Sequence, residues 1–528
     1  MKTLLLLLAF SGPGGFQQAL LTLSGASCVE ELSEDEIQRY QSLAAHPVDL
    51  NLAGRSRLLA TGLLTPYQVA SLLDYRSRTG DVLSWSELAL VDGFSSSLVE
   101  ALREFAVLGV RDAPPGQRED RRFSQTLSLR GAMRTEGTAA GGGKYEAQLG
   151  ERAAFFLSGR NTFSEPAFAL PTLSAAYYGR KALGQLVVGH FNARFGQGLL
   201  QWSGFQLNGF GTLGAFRKNG TGFSPTGAHG ASLMGVATDW HFGSWSLSAG
   251  YSWMGRQAIL NLTRSWPSAT AGLTATLEGA SLEARLARPD WSLWAEAAVR
   301  YDGHASALAG AYYVPEYGRR LGLIVRWYGV SDKRYSGLAA GYEGPAFAVT
   351  ADAGWRTDTG AAQYKALLRY HPESAWRSWL FQPELRLQAC LRPADRAPLR
   401  LEGRAMLTTG RGPWLLACRF DAVHCSGFAW NGYAEGGWKS ERAALYLRGG
   451  LFRVDAWDDR IYVYERDAPG TFTVPARYGR GWNASIYGAW HLSRLHSLWL
   501  RLETVQYPWN PTKKPGRTEL RLQYRFRM

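Results

Sequence analysis

Beyond its first residues, the sequence lacks any apolar run of the about 20 residues that a membrane-spanning helix needs. This absence excludes a helical membrane protein but not a membrane β-barrel, whose strands need only about 9–11 residues with every second one apolar. The 60 glycines, 20 tryptophans, 24 tyrosines and 23 phenylalanines favour the barrel. A large soluble β protein is the alternative.

The 528 residues include only 4 cysteines and 9 histidines. Four cysteines in a chain of this size do not make a disulfide framework. The histidines and cysteines do not follow a metal-ligand spacing, and no Gly-x-Ser-x-Gly nucleophile motif is present. We therefore expect no cofactor, no metal and no catalytic residues. The alternative is an active site in which the fold brings a serine, a histidine and a carboxylate together from different strands.

The chain begins with Lys2, an apolar run over residues 4–10, and small residues at 24–27. This order is typical of a secretory signal peptide, so residues 1–27 are predicted to be one, cut between Ala19 and Cys28. Lipidation of Cys28 is a second possibility. Gly25, however, stands where a lipoprotein signal prefers a branched apolar residue.

Charge divides the remaining chain into two parts. Residues 29–110 hold 6 arginines and 12 acidic residues, a net charge of −6, whereas residues 111–528 carry a net charge of +19. A change of sign this large indicates two bodies in different surroundings. Residues 111–122, with two prolines and a glycine, are the predicted linker.

The first body, residues 29–110, is predicted to be helical. Ser33-Glu34-Asp35-Glu36 and Ser84-Trp85-Ser86-Glu87 have the capping-box pattern of helix N-termini. Thr65 followed by Pro66 is a third helix start, and Gly80 is placed to end that helix.

These helices carry a resemblance to a known domain. The residues Val48-Asp49-Leu50-Asn51, Leu63-Leu64-Thr65-Pro66, Leu72-Leu73-Asp74-Tyr75-Arg76 and Val91-Asp92-Gly93-Phe94 resemble a tandem helix-hairpin-helix domain of the competence type. The resemblance implies DNA binding without sequence preference. The whole layout is similar to a group of outer-membrane proteins that place such a domain before a large barrel.

Two departures favour a protein-docking or structural role over DNA binding. DNA-binding hairpins hold phosphate with a Gly-hydrophobic-Gly turn, but the turns here are Leu63-Leu64-Thr65 and Gly93-Phe94-Ser95. The domain is also acidic, whereas non-specific DNA affinity comes chiefly from basic residues. The candidate binding residues of this domain are Arg55, Arg57, Arg76, Arg78 and Gly93.

From Phe123 onward the hydrophobic pattern has a period of two, which indicates strands. In the last strand Leu520, Leu522 and Tyr524 share one face, and Arg521 and Gln523 share the other. The polar face repeats arginine and glutamate along many strands, as expected for a lumen crossed by ion pairs. Residues 123–528 are therefore predicted to form a transmembrane antiparallel β-barrel of about 18–22 strands.

One segment, between Gly189 and Ala231, is too long and irregular for a tight turn. It is predicted either to fold into the lumen as a constriction or ligand platform, or to form an exposed loop after a bend. Its candidate functional residues are Phe195, Gly196, Gln197, Gly198, Trp202 and Lys218.

The sequence thus predicts a non-enzymatic outer-membrane barrel, acting as a channel, receptor or assembly component. We expect the domain at residues 29–110 to lie in the periplasm of a Gram-negative-type bacterium and to dock a protein partner, with membrane lipid around the barrel. The alternatives are a DNA-uptake component and a membrane-embedded enzyme acting on lipid or saccharide.

Overall fold

The structure is a computed structural model that describes residues 15–109, 123–167, 171–179, 181–204, 211–228, 233–288, 290–315, 318–329, 335–372, 374–376, 379–511 and 514–528. The predicted linker, 111–122, and the start of the predicted signal peptide lie outside the described residues.

Twenty-four strands, each antiparallel to its neighbours, form one closed barrel. They are β1 Phe123–Arg134, β2 Ala139–Leu149, β3 Ala153–Arg160, β4 Thr172–Tyr178, β5 Leu183–Arg194, β6 Leu233–Phe242, β7 Trp245–Ser252, β8 Gln257–Trp266, β9 Ala269–Thr276, β10 Gly279–Ala287, β11 Trp291–Arg300, β12 Ala305–Tyr313, β13 Arg320–Trp327, β14 Tyr335–Glu343, β15 Phe347–Arg356, β16 Ala362–Tyr370, β17 Trp379–Leu391, β18 Leu399–Arg411, β19 Trp414–His424, β20 Phe428–Lys439, β21 Ala443–Val454, β22 Gly479–His491, β23 His496–Gln506 and β24 Arg517–Arg527.

The predicted fold, a large closed antiparallel barrel behind a small helical region, is confirmed. The barrel closes where β24 pairs with β1, with Leu522 opposite Gly131. Side chains alternate as predicted: on β11 Leu293 and Val299 are exposed on the outer face, whereas Trp294 and Glu296 are buried on the inner face. The predicted strand number of 18–22 is wrong, because most strands are only 8–13 residues long and many are joined by connections of two to four residues, so more strands fit into residues 123–528.

The two ends of the barrel differ in their connections. At the end where β1 begins and β24 ends, here called the proximal end, most turns are short, such as 150–152 and 412–413. The opposite, distal end carries the long connections, among them 195–232, 455–478 and 507–516. The chain enters and leaves the barrel at the proximal end.

The N-terminal helical region, residues 15–109, contains six helices. They are α1 Gly15–Ser24, α2 Glu34–Ala45, α3 Arg55–Thr61, α4 Pro66–Thr79, α5 Trp85–Leu88 and α6 Ser96–Leu102. The predicted helix starts are present, since the Ser33, Thr65 and Ser84 hydroxyls accept hydrogen bonds from the backbone N–H groups three residues later. None of the described helices is long and apolar enough to cross a membrane.

The helical region has its own apolar core, centred on Tyr40, Leu58, Leu72 and Phe105. Helix α1, which lies within the predicted signal peptide, packs against α6. The ring of Phe16 on α1 also lies 5.6 Å from the ring of Phe105, which follows α6. Removal of residues 1–27 therefore stays a prediction.

Candidate functional site

The helical region enters the barrel from the proximal end, and its first contacts are with the proximal rim. Arg57 on α3 donates to Glu151 in the turn between β2 and β3, with a 2.8 Å separation between Nε and Oε2. Arg55 donates to the Ser265 hydroxyl at the proximal end of β8 (2.8 Å). The Arg57 and Glu151 side chains are only 8% and 11% exposed, so this is a buried ion pair.

Deeper in the lumen, α2 lies against the inner face of β1 and β2. The Ser42 hydroxyl donates to the Glu146 carboxylate on β2 (3.2 Å). His46, at the C-terminal end of α2, is hydrogen-bonded to the Thr126 hydroxyl on β1 (2.8 Å). Burial lowers the pKa of His46 to about 4, although the nearby Glu146 carboxylate acts in the opposite direction. The imidazole is therefore neutral at neutral pH.

The acidic start of the helical region lies against arginines of a different part of the wall. Glu31 accepts from Arg386 on β17 (2.9 Å), and Glu30 pairs with Arg419 on β19. Burial alone would raise the pKa of Glu30, but Arg404 and Arg419 outweigh it and hold that pKa well below the ordinary value. The acidic N-terminal region and the basic barrel are thus complementary surfaces in contact.

The long distal loop 455–478 folds inward and meets the helical region. Its residues Glu465 and Asp467 form ion pairs with Arg501 on β23 and Arg521 on β24, halfway along those strands. At the tip of the loop, the Gly470 backbone N–H donates to the Gln41 side chain on α2. The rings of Tyr464 and Phe472 pack on the apolar core of the helical region. The lumen is therefore occupied from both ends.

Within the segment predicted between Gly189 and Ala231, the described residues of the 195–222 loop lie against the inner wall, and the Gly-Gln-Gly turn at 196–198 encloses the carboxylate of Glu296 on β11. The backbone N–H groups of Gln197 and Leu199 both donate to Glu296. Gly196 has a φ of +61°, and a Cβ there would lie 2.7 Å from the Glu296 carboxylate. Only glycine fits this position without strain.

The other candidate residues of this loop hold its two arms together. The Gln197 side chain donates to the carbonyl of Lys218 (3.1 Å) and accepts from its N–H (2.9 Å). The Lys218 ammonium group lies 5.3 Å from the centre of the Trp202 ring. Phe195 packs edge-on against Phe223, with ring centroids 5.1 Å apart, and Gly198, at a φ of +77°, lies against Trp202.

The far part of the same loop is fixed to the wall formed by β11 to β15. Leu213 and Phe216 are buried in one cluster with Trp294, Tyr312 and Ile324. The Thr350 hydroxyl donates to the carbonyl of Gly211 (2.6 Å). This loop therefore lines the lumen along several strands.

Two small cavities lie between the helical region and the wall. One, of about 50 Å³, lies between Ser42, Lys144 and Arg525. Another, of about 160 Å³, lies between Arg130, Arg160 and Phe472.

The arginines named above as candidate binding residues have separate partners. Arg55 and Arg57 contact the barrel, Arg76 donates to the Ala53 carbonyl (2.8 Å), and exposed Arg78 pairs with Asp74 on its own helix (2.9 Å). The Gly93 carbonyl accepts from Gln68 (2.8 Å).

In both turns that the resemblance places at the phosphate, some of the backbone N–H groups donate within the helical region. In the first, Leu63 N–H donates to the Thr61 hydroxyl (3.2 Å) and Thr65 N–H to the Gln68 side chain (2.8 Å). In the second, Phe94 N–H donates to the Val91 carbonyl (3.0 Å). The resemblance itself stays a prediction.

One serine–histidine contact lies at the proximal rim, where the Ser56 hydroxyl is 2.8 Å from Nε2 of His241. The other ring nitrogen of His241 bonds to the Ser246 hydroxyl rather than to a carboxylate (3.0 Å). Ser56 is 3% exposed, so substrate has no access to it. Within the described part of the chain, no group of three histidine, cysteine or acidic side chains is arranged to hold a metal ion.

Sequence reasoning missed the wall residues that receive the helical region, among them Glu146, Glu151, Arg386, Arg404 and Arg419. The available signal was the opposite charge of the two parts of the chain, which was interpreted as two surroundings rather than as one interface. A strand period of two predicts which side chains share a face, but it does not indicate which residues of the wall face the helices, and Glu151 lies in a turn that this pattern does not cover.

No protein-family model and no curated protein sequence matches the chain. Among solved structures, similar ones are OccK3 (OpdO) of Pseudomonas aeruginosa, with 12% identity over 77% of this chain and 95% of that one and a TM-score of 0.32, and the outer membrane protein OpdK of the same organism, with 10% identity over 77% and 98% and a TM-score of 0.33. The P pilus usher (PapC) translocation pore has 9% identity over 77% and 99%, with a TM-score of 0.39. Similarity at this level carries no inference about function.

Proposed function

We propose that this chain is a non-enzymatic, gated channel or receptor of the outer membrane, closed at rest by its own N-terminal helical region. The observation that carries the proposal is the set of contacts between that region and inner-face residues of β1, β2, β17 and β19, together with the inward loop 455–478. A segment held this way blocks passage until it moves.

The orientation follows from the two ends of the barrel. Outer-membrane barrels have short turns on the periplasmic side and long loops on the extracellular side. The proximal end, with the helical region in its mouth, is then periplasmic. Loops 195–232 and 455–478 start from the extracellular side.

A periplasmic protein partner is the proposed trigger for opening. The part of the helical region that points away from the barrel exposes Leu83 and Leu90, which are 64% and 83% accessible, and acidic Glu100. A partner that binds there competes with the contacts at the rim and shifts the helical region toward release.

Duplex DNA is the less favoured partner. Three of the six N–H groups in the two hairpin turns, those of Leu63, Thr65 and Phe94, already have intramolecular acceptors, and the candidate arginines are engaged elsewhere. We expect the full-length chain in detergent to bind duplex DNA no better than high-micromolar at physiological salt. Low-micromolar binding that is lost in R76A/R78A would favour the DNA-uptake alternative.

Exchange of the charges of Arg57 and Glu151 at the proximal rim tests whether this ion pair helps to keep the channel closed. Arg57→Glu places two carboxylates together, and breaking a buried ion pair costs roughly 3–5 kcal/mol. We expect this variant to open frequently in planar lipid bilayers, with wild type mostly closed. The double variant R57E/E151R, which restores the pair in reverse, should return to the wild-type conductance. Equal conductance in all three proteins would contradict the proposal.

A further inference from the structure

Three arginines of the inner wall lie side by side on neighbouring strands. Arg369 on β16 is directly opposite Arg386 on β17, and Arg386 is directly opposite Arg404 on β18. Like charges directly opposite each other on adjacent strands are destabilising. A row of three therefore requires compensating negative charge.

The wall supplies little of that compensation. Asp421 on β19, opposite Arg404, accepts from Arg404 and from Arg419 at 2.8 Å each. Among the described wall residues, no carboxylate lies within 4.0 Å of the Arg369 or Arg386 guanidinium. Four guanidiniums thus face one wall carboxylate at close range.

The N-terminal segment provides the rest. The Ser27 carbonyl accepts from Arg369 (3.0 Å), and Arg386 donates to the Cys28 sulfur (2.9 Å) and to Glu31 (2.9 Å). Glu30 lies between Arg404 (3.5 Å) and Arg419. The adjacent carboxylates of Glu30 and Glu31 therefore bind the arginine side chains in the way that an anionic ligand would. They remain in the mature chain for any signal cut between Ala19 and Cys28.

The geometry points to an anion-binding site formed by Arg369, Arg386, Arg404 and Arg419, which Glu30 and Glu31 occupy as a tethered internal ligand. Guanidinium groups bind carboxylate and phosphate in a planar, bidentate manner. The external ligand is an anion with at least two such oxyanion groups, spaced like neighbouring acidic side chains. The inference rests on the proposed function, because movement of the helical region is what frees the site.

Tethering explains why the site is closed to solutes at rest. A linked segment competes at an effective concentration in the millimolar range. An external anion therefore binds well only when Glu30 and Glu31 are withdrawn or neutralised.

The test is calorimetric titration of the full-length chain in detergent with inorganic pyrophosphate, which carries two oxyanion groups. We expect E30Q/E31Q to bind pyrophosphate at least about tenfold more tightly than wild type. E278Q, the same change at an exposed glutamate in a distal turn, should behave as wild type, and E30Q/E31Q/R386Q/R404Q should lose the gain. Equal affinity in wild type and E30Q/E31Q, or a gain that survives removal of the two arginines, overturns the inference.

A second measurement covers the case in which E30Q/E31Q does not fold. Wild type and R386Q/R404Q are opened with urea in planar bilayers, and the reversal potential is recorded across a KCl gradient. Wild type should select chloride, and R386Q/R404Q should lose that selectivity; unselective wild-type current overturns the site. If instead wild type conducts freely without urea, the proposed function fails while the titration still decides the site.

Discussion

Alternate residues of the closing strand meet different surroundings, and this determines which substitutions they tolerate. Leu522 is 47% exposed on the outer face, whereas Gln523 is 3% exposed and donates to the Pro469 carbonyl of the inward loop (2.6 Å). The sequence predicted this division, because a period of two is a local property of a strand.

The two positions give a matched pair of variants. Leu522→Asp places a charge against lipid near the middle of the strand, at a cost on the order of 2 kcal/mol. We expect it to reduce the amount of folded barrel in the outer membrane, measured as the heat-modifiable form on gels. Gln523→Asp, which faces Arg525 and Arg130 in the lumen, should insert nearly as well as wild type. Equal insertion of both variants would show that Leu522 does not face lipid.

His46 makes the closed state sensitive to acid. Its pKa is about 4 when the helical region is seated, below the ordinary value of 6.5, because burial disfavours the charged ring. When the helical region is released, His46 regains its ordinary pKa and is protonated at a higher pH than in the closed state. The contribution of neutral His46 to the stability of the closed state is therefore fully present above about pH 6.5 and is lost as the pH falls toward 4. Glu30 acts in the same direction at lower pH, whereas the half-buried Asp35 and Glu36, whose pKa values are raised by desolvation, act in the opposite one.

We expect channel opening in planar bilayers to increase as the pH falls from 7 to 4.5, by an amount on the order of 2 kcal/mol for His46 alone. His46→Gln keeps a hydrogen-bonding side chain but does not titrate, and should open less steeply with acid. An unchanged pH dependence in this variant would remove His46 from the mechanism.

Among the elements, helices and strands were predicted from local signals, whereas the inward loops were not. The N-caps at Ser33, Thr65 and Ser84 can be recognised from short sequence motifs, because each hydroxyl accepts from a backbone N–H only three residues away. Nothing local indicates that loop 455–478 reaches α2, since the Gly470–Gln41 hydrogen bond joins residues more than 400 positions apart. For the 195–222 loop, the sequence left a lumen position and an exposed position open.

The loop over residues 195–222 should restrict the lumen, because its Glu296 anchor and its Leu213–Phe216 turn lie on the inner wall. We expect its deletion to raise ion conductance several fold in planar bilayers once the helical region is released by urea. Deletion of the distal turn over residues 357–361 provides a control. Equal conductance in the two deletion variants would show that the 195–222 loop does not narrow the path.

For the whole molecule, the decisive property is the opposite charge of its two parts. Composition showed a region of net charge −6 before a region of +19, and strand periodicity placed the basic residues on the inner face. What remained hidden was that the first region fills the second, since docking depends on contacts such as Glu30–Arg419 and Arg57–Glu151 between residues distant in sequence. The strand number was underestimated because turn lengths vary more than strand periodicity does.

Cross-linking within the intact outer membrane tests most directly whether the helical region sits inside the barrel. In the variant to be tested, Ser42 and Glu146, whose native side chains are in contact, are both replaced by cysteine. The four native cysteines are replaced by alanine, so that only these two thiols can react. A short reagent that bridges two thiols should join the pair in most molecules, change migration on a denaturing gel and hold the channel closed in bilayers. The control pair, Ser97→Cys with Glu146→Cys, should remain unbridged because Ser97 is exposed on α6. If each cysteine of the S42C/E146C pair reacts singly while no bridge forms, the helical region is not seated in the lumen, and the account is contradicted.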